Sequence, residues 1–297
     1  MIMILVTGAS GFIGRELVAR LSGKKLRVRA LVRNREDAGL FPKGVETFVG
    51  DITRPQTLSG AFTDVDTVVH LAGAVSYSMP KEELFRINAI GTKNLLEFSG
   101  SVKKFVLASS VSVYGEIKGE ADENYPLGPL NAYGESKIAA ERFVKQSGIP
   151  HVILRIAPVY GKGSPSWMKN LKLLRKGFPV PKTGNLTHIV HVSDAAQGLE
   201  LGIKKGSGIY NIAGPEPVPF MDFAKRLVTL LGRKPRVLPF FVVKALAAAA
   251  GLGKYLRVLA MNRYYFTEKA EKELGYRPRA DFNKEIKAMV DWFNSSA

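Results

Sequence analysis

The sequence predicts an α/β fold: a doubly wound parallel sheet over the N-terminal half, followed by a smaller C-terminal α/β region. Three observations predict it. Strand-like and helix-like runs alternate through the first 110 residues, the pattern of βαβ units around a parallel sheet. The runs Thr67–Leu71 and Phe105–Ala108 are almost wholly apolar, as strands covered on both faces must be. A glycine-rich turn joins the first strand to the first helix.

Met3–Thr7 reads as a buried strand, and Ile13–Leu21 as a helix with Ile13, Leu17, Val18 and Leu21 on one face. Leu26–Val32 and Val45–Val49 are the next strands, Thr57–Phe62 a short helix, Val65–Leu71 the fourth strand and Lys103–Ala108 the fifth. Between the last two, Lys81–Phe98 has helical periodicity through Leu84, Ile87, Leu95 and Leu96. Ala132–Ser147 is a helix stopped by Gly148 and Pro150, and His151–Ile156 a further strand. Beyond Pro158 the pattern loosens, with a loop at Gly161–Pro165. The boundary therefore falls between a domain over 1–158 and a second over 159–297, with segments near 188–213 returning to the first. Met221–Leu231, Tyr255–Met261 and Asn283–Phe293 are helical. Phe240–Leu252 is strongly apolar but too short to span a bilayer, and it carries Lys244. It reads as a buried helix or one lining an apolar pocket. The alternative, suggested by Arg236, Lys254 and Arg257 beside it, is a helix that lies on a membrane surface.

Cysteine is absent, which excludes disulfides, thiolate nucleophiles and cysteine metal sites. His188 and His191 are three apart but lie in an alternating, strand-like run, so no metal site is expected. The N-terminus opens on an apolar strand with no basic leader, which predicts a cytoplasmic protein. The net charge of +17 raises the question of a polyanionic partner. The basic residues read as scattered, densest over Lys24–Arg35 where a cofactor phosphate would sit, so no nucleic-acid partner is expected.

Gly8, Gly11 and Gly14 form a G-x-x-G-x-x-G run directly after the first strand and opening the first helix. In that place the first glycine permits the turn, the second lets backbone approach a pyrophosphate and the third lets the helix pack close to the sheet. The helix N-terminus then offers free N–H groups to the anion. A site for NAD usually places an acid about 20 residues further on, to hold the ribose hydroxyls. Arg33 stands 19 residues after Gly14, with Asn34 and Arg35 beside it and Arg29 further back on the strand. An arginine there suits the 2′-phosphate of NADP, so NADP(H) is favoured over NAD(H).

Four Y-x-x-x-K pairs occur: Tyr77/Lys81, Tyr114/Lys118, Tyr133/Lys137 and Tyr265/Lys269. Only Tyr133/Lys137 lies within a strongly helical segment, where residues four apart share a face. A free tyrosine, with a pKa of about 10, is a poor base at neutral pH. A neighbouring ammonium favours the tyrosinate and brings the group toward the working range of general acid–base catalysis.

The chain resembles the extended branch of the short-chain dehydrogenase/reductase superfamily. The resemblance rests on Thr7-Gly-Ala-Ser-Gly-Phe-Ile-Gly14, Gly50-Asp51-Ile52, His70-Leu-Ala-Gly73, Asn88-x-x-Gly91-Thr92, Ser109-Ser110-x-x-Val113-Tyr114-Gly115, Tyr133-x-x-x-Lys137 and Leu154-Arg155-x-x-x-Val-Tyr160-Gly161. These motifs run in family order across nearly the whole chain. The resemblance implies a Rossmann-type doubly wound sheet with an interleaved C-terminal α/β domain that holds a small-molecule substrate. It implies Ser110, Tyr133 and Lys137 as the catalytic set, with Asn88 assisting a proton relay. Around the cofactor it implies Gly8, Ser10, Gly11, Phe12, Ile13 and Gly14 at the phosphates and Asp51 and Ile52 by the adenine. Leu71, Ala72 and Gly73 lie beneath pyrophosphate and ribose, and Ile156, Pro158 and Val159 complete the site with Tyr133 and Lys137. Val75, Ser110, Val111, Ser112 and Tyr160 face the substrate. A homodimer through the Lys81–Phe98 and Ala132–Ser147 helices is a family expectation.

The branch holds sugar-nucleotide epimerases and dehydratases as well as reductases resembling dihydroflavonol reductases and 3β-hydroxysteroid dehydrogenases. Before the His-Val segment, Leu186-Thr187-His188-Ile189 has no arginine of the kind that grips a sugar nucleotide's diphosphate. The ending Lys269-Ala270 with Leu274-Gly275-Tyr276 looks more like the second group. The expected activity is interconversion of a carbonyl and an alcohol on an apolar metabolite. The alternatives are a sugar-nucleotide epimerase or dehydratase with tightly held NAD(P), and a non-catalytic dinucleotide sensor or RNA-binding protein.

Overall fold

Strands β1 (Met3–Thr7), β2 (Arg27–Val32), β3 (Glu46–Val49) and β4 (Thr67–His70) alternate with helix α1 (Phe12–Gly23) and short turns in a computed structural model that describes residues 2–76 and 78–296. Helix α2 (Lys81–Phe85), a π-helical turn at Arg86–Ile90 and helix α3 (Gly91–Glu97) lead to β5 (Lys104–Ser110). Helix α4 (Ala132–Gln146), β6 (His151–Ile156), β7 (Val159–Tyr160) and α5 (Pro165–Arg175) follow, then β8 (Val180–Lys182), β9 (Leu186–Thr187), β10 (Val190–His191) and α6 (Val192–Lys204). The chain ends with β11 (Gly208–Ile212), β12 (Val218–Pro219), α7 (Phe220–Leu230), β13 (Val237–Pro239), α8 (Phe240–Ala249), α9 (Gly253–Leu259) and α10 (Phe282–Ser295).

The central sheet has seven strands in the order β11-β6-β5-β4-β1-β2-β3, every pairing parallel. The order reverses direction between β1 and β4, the place where doubly wound sheets open a crevice at the strands' C-terminal ends. Alternate residues of each strand enter opposite layers. Ile4, Val6, Val28, Ala30, Val106 and Val152 pack with Leu17, Val18 and Leu21 of α1 and Ala195, Ala196 and Leu199 of α6. Met3, Leu5, Leu31, Val68, Phe105 and Ile153 pack under Leu95 of α3 and Ala140 and Val144 of α4. This two-sided burial is why the strands read as continuous apolar runs. Beyond β7, Tyr160, Trp167, Leu171, Phe223, Leu227, Ile286 and Phe293 make a second core between α5, α7 and α10.

A charged network lies inside the first core. Arg155, the last but one residue of β6, is 2% exposed, and its guanidinium grips the Glu141 carboxylate of α4 through two bonds of 3.0 and 2.8 Å. Ser109 Oγ donates to the same carboxylate at 2.6 Å. Arg155 also donates to Tyr114 Oη and the Glu123 carbonyl, and Tyr114 Oη donates to Asn211 of β11 at 2.7 Å. Burial raises the Tyr114 phenol to about 12, so it stays protonated as a donor.

Several expectations need correction. Thr57–Phe62 is not a helix: only Pro55–Leu58 makes a 3₁₀ turn, and Gly60 at φ +81° ends it. The helix expected over Lys81–Phe98 is broken by the π-helical turn. Helices α5 and α6 escaped the sequence reading, though Asp194 and Glu200 of α6 are buried by specific partners. The strand expected around His188 and His191 is split between β9 and β10 because both ring nitrogens of His188 serve loops. Nε2 donates to the Gly214 carbonyl at 2.9 Å, and Nδ1 accepts from Tyr265 N–H. Of the two readings of Phe240–Leu252, the segment is not a buried helix but one that lines an apolar cavity through Ala247 and Leu252. In α8 only Val243 and Ala247 are buried, and Phe241 is 73% exposed. Tyr77, of the first Y-x-x-x-K pair, lies outside the described residues.

Removing one partner of a buried ion pair strands the other charge in the core, at a cost of about 3–5 kcal/mol. Arg155→Ala should therefore lower the melting temperature by roughly 6–12 °C. An unchanged transition in differential scanning calorimetry would show that water or rearrangement compensates Glu141.

His70 supplies a pH-dependent contribution. Thr7 Oγ1 and Thr92 Oγ1 hold its ring nitrogens at 2.7 and 3.0 Å, and burial, aided by the charge of Lys137, lowers its pKa to about 3. The unfolded chain, with a histidine near 6.5, takes up a proton that the folded chain refuses. The contribution is complete above pH 6.5 and is lost progressively as pH falls from there to the folded value. Urea midpoints should show the wild type losing at least about 1 kcal/mol more than His70→Asn between pH 6.5 and 4.5. Parallel pH profiles for the two proteins would refute this assignment.

Candidate active site

The loop between β1 and α1 is shaped for a close backbone approach. Gly8 has φ +65°, and a methyl built on Gly14 would stand 2.1 Å from the Gly8 carbonyl oxygen. Gly11 caps α1, its N–H bonded to the Gly8 carbonyl at 3.0 Å, and the first turn of α1 holds no acidic side chain. Ser10, Phe12 and Ile13 complete the loop and first turn, none of them buried. The N-terminal amides and positive dipole end of α1 are thus available to a phosphate group. On the far side of the crevice, Leu71, Ala72 and Gly73 leave the end of β4, and Ala72 N–H donates to Thr7 Oγ1 at 3.2 Å. These residues fit a dinucleotide: the backbone supplies the amides, and the glycines remove the side chains that would block it.

Arg33, the first residue past β2, is exposed together with Asn34 and Arg35. Asp51 stands across from it at the end of β3. Burial raises the Asp51 pKa, but bonds from Thr53 N–H and Oγ1, both 2.8 Å, and the charges of Arg33 and Arg54 outweigh it and hold the carboxyl below its ordinary value. Ile52 is buried, its side chain in contact with the helix at Gly91. Arg29 does not assist Arg33. It is 7% exposed and is consumed by Glu46 at 2.7 Å and by the carbonyls of Ala61 and Thr63. Lys24 lies beyond the far end of α1, paired with Glu200, so the basic run Lys24–Arg35 does not form one phosphate site.

Ser110 ends β5, and its Oγ accepts from Ser112 N–H at 3.1 Å and donates to Ser112 Oγ at 3.2 Å. Tyr133 and Lys137 lie on successive turns of α4, each 8% exposed. Lys137 Nζ donates to the Ala108 carbonyl at 2.6 Å, two residues before Ser110. Burial lowers Lys137 to about 8, against the opposing pull of Glu141, so it is still mainly cationic at neutral pH. Asn131 caps α4 by accepting from Gly134 N–H at 3.0 Å. A methyl at Gly134 would stand 2.5 Å from the Ser112 carbonyl oxygen. That contact seats the first turn of α4 directly against the Ser110–Ser112 turn.

Asn88 is placed differently. Its Oδ1 accepts from Ala74 N–H at 2.7 Å, while Nδ2 donates to the Ala74 carbonyl and to Ser136 Oγ, both at 2.9 Å. Its amide ties the loop after β4 to α4. Val75, on that loop, is 64% exposed. Ile156 ends β6, and Pro158 and Val159 lead away from it.

A cleft beside Ser112 is lined by Val111, Leu130, Asn131, Pro158, Val258, Met261, Arg263 and Tyr265. Tyr160 does not reach it. Its ring is 3% exposed in the second core, edge-on to His191 at 5.2 Å and Phe282 at 6.1 Å. Arg263 was not anticipated. Its guanidinium is buried, donates to the Val258 carbonyl, and pairs with no carboxylate among the described residues. A separate cavity of about 60 Å³, lined almost wholly by apolar side chains, lies on the other side of α9, where Leu256 and Leu259 face it.

The model of the NAD-dependent epimerase/dehydratase family matches residues 4–213. The chain is 30% identical to mouse sterol-4-alpha-carboxylate 3-dehydrogenase, decarboxylating, over 97% of its length and 90% of the relative's. It is also 30% identical to a putative UDP-glucose 4-epimerase of Methanocaldococcus jannaschii, over 99% of both chains. The crystal structure of a Thermus thermophilus UDP-glucose 4-epimerase complex with NAD superposes with a TM-score of 0.80 at 27% identity, over the whole of both chains.

A tyrosine that moves a proton is worth about 10²–10⁴ in rate. Tyr133→Phe should lower turnover at least about 100-fold while cofactor affinity changes only a few-fold. Gly134→Ala should also lower turnover, through displacement of α4 from the Ser112 carbonyl. Full activity in Tyr133→Phe, measured by nicotinamide absorbance, would remove Tyr133 from the chemistry.

Proposed function

The chain belongs to the NAD-dependent epimerase/dehydratase family, and from that premise we propose that it is an NADP(H)-dependent reductase or dehydrogenase interconverting a carbonyl and an alcohol on a small, largely apolar metabolite. It is an NAD(P)-dependent enzyme of the extended short-chain dehydrogenase/reductase type, built on a Rossmann-type sheet. Preference for the phosphorylated cofactor and the class of substrate are the proposed part.

The observation that carries the cofactor reading is Arg33. It is exposed at the C-terminal end of β2, where an acidic residue would bond ribose hydroxyls, and its charge is felt by Asp51 beyond the neighbouring strand β3. A guanidinium at that place recognises a 2′-phosphate. When bound, the nicotinamide would supply or accept the hydride. Tyr133 would move the proton at the substrate oxygen. Ser110 would hold that oxygen by a hydrogen bond, and the Lys137 ammonium would favour the tyrosinate and bond the ribose. Asn88 positions α4 against the loop at Ala74. The apolar cleft walls Val111, Leu130, Val258 and Met261 support a substrate with an apolar body. One observation favours the sugar-nucleotide reading instead: the buried Arg263 guanidinium on the cleft wall suits a phosphate.

Titration of the purified protein by nicotinamide fluorescence tests the reading. NADPH should bind at least about tenfold tighter than NADH, and Arg33→Ala should erase the difference, because a hydrogen bond to a charged group contributes about 1.5–3 kcal/mol. Equal binding, or NAD that survives purification, would shift the assignment to an epimerase or dehydratase that recycles its cofactor.

A further inference from the structure

The positive charge of the chain is concentrated rather than scattered. Residues 142–193 contain nine Lys and Arg and no acid, and residues 223–267 again contain nine and no acid. Without these eighteen, the remaining 25 basic residues face 26 acidic ones, so these two stretches account for the net charge of +17. Arg142, Lys145 and Arg155 of the first stretch lie on α4 and β6; its other six and all nine of the second lie in the C-terminal lobe. β8 pairs with β13, which sets Lys182 beside Pro239, and the Arg236 carbonyl accepts from Val180 N–H at 2.8 Å. Arg233 donates to the Arg175 carbonyl at 2.7 Å.

Helix α8 rises from this basic edge with an apolar face outward. Phe241, Ala245 and Ala248 recur at helical spacing on its exposed side, with Leu246 45% exposed beside them, and Val237 precedes the helix at 37%. Lys182, Arg236, Lys244 and Arg257 are exposed around it. Behind α8, Ala247, Leu252 and Leu256 wall the apolar cavity.

We propose that this face docks the enzyme on an anionic phospholipid surface. Phe241 and Leu246 enter the boundary between headgroups and acyl chains, and the surrounding lysines and arginines meet the lipid phosphates. An exposed apolar ridge flanked by the exposed Lys182, Arg236, Lys244 and Arg257 is complementary to such a surface. Two copies of this face would bring like charges together, which disfavours self-association through it. α8 has ten residues, and no helix among the described residues is long and apolar enough to cross a bilayer, so the contact is peripheral. The docking is independent of the cofactor reading.

Sedimentation of the full-length protein with vesicles tests it, at 0.1 M salt with phosphatidylcholine alone or with about 40% phosphatidylglycerol. Binding should require the anionic lipid. Phe241→Asp should weaken it at least tenfold. Arg236→Gln with Lys244→Gln should weaken it about 30-fold, from the roughly 1 kcal/mol that each basic residue contributes near such a surface. Melting temperature should be unchanged in each variant. Absence of binding to anionic vesicles would overturn the proposal, as would Phe241→Asp binding as well as the wild type. A concentration-dependent dimer in lipid-free solution that Phe241→Asp abolishes would overturn it in favour of a second copy as the occupant.

Discussion

The geometry of the site depends on the buried pair between Arg155 and Glu141. Two charges inside a sheet-and-helix core are costly to desolvate, and they persist because nearly every polar atom is used. Arg155 reaches Glu141 twice, Tyr114 and the Glu123 carbonyl, and Glu141 also takes the Ser109 hydroxyl. The pair joins β6, α4 and the end of β5 at one point. Lys137 sits one turn before Glu141 on α4, and Tyr133 one turn before that. Fixing Glu141 against the sheet therefore fixes the height at which Tyr133 and Lys137 stand beside Ser110. The bond from Lys137 to the Ala108 carbonyl and the contact between Gly134 and Ser112 set the tilt of the same helix.

This arrangement also sets the electrostatics. Lys137 is held as a buried cation on a carbonyl, with a carboxylate one turn away already committed to Arg155. Its ammonium is thus not neutralised by Glu141, yet burial brings its pKa down to about 8. His70, neutral between two threonines, buttresses the opposite wall without adding charge to the crevice.

Much of this was legible in the sequence because it is local. The glycine loop, the apolar strands and the i, i+4 relation of Tyr133 and Lys137 each depend on residues a few positions apart, and the first six strands stand within two or three residues of their expected places. What escaped depends on distant partners. Arg155 interrupts the apolar run His151–Ile156, and a charge in a doubly covered strand demands a buried carboxylate, but nothing nearby identifies Glu141 as the partner. Arg29 faces the same problem: its side chain is taken by Glu46 and two carbonyls from the following turn, which strand position alone does not reveal. Tyr160 follows a strand end as a substrate contact would, but β7 turns it into the second core. At Thr57–Phe62, where a helix is expected, Gly60 at φ +81° stops the chain after one 3₁₀ turn.

The C-terminal lobe shows the same limit at larger scale. Lysines and arginines spaced along two separate stretches look dispersed, and the β8–β13 pairing brings Lys182 and Arg236 to one edge. Helix α8 is apolar nearly all round, a composition that ordinarily means burial. Burying it would require a partner on each side, and the described residues of the lobe supply one, the wall of the apolar cavity. The helix consequently keeps Val243 and Ala247 inside and leaves Phe241 out. Helix α9 separates that cavity from the cleft beside Ser112: Leu256 and Leu259 face one, while Val258 faces the other. A small shift of α9 would therefore change both spaces together, coupling the outward-facing lobe to the cleft beside Ser112.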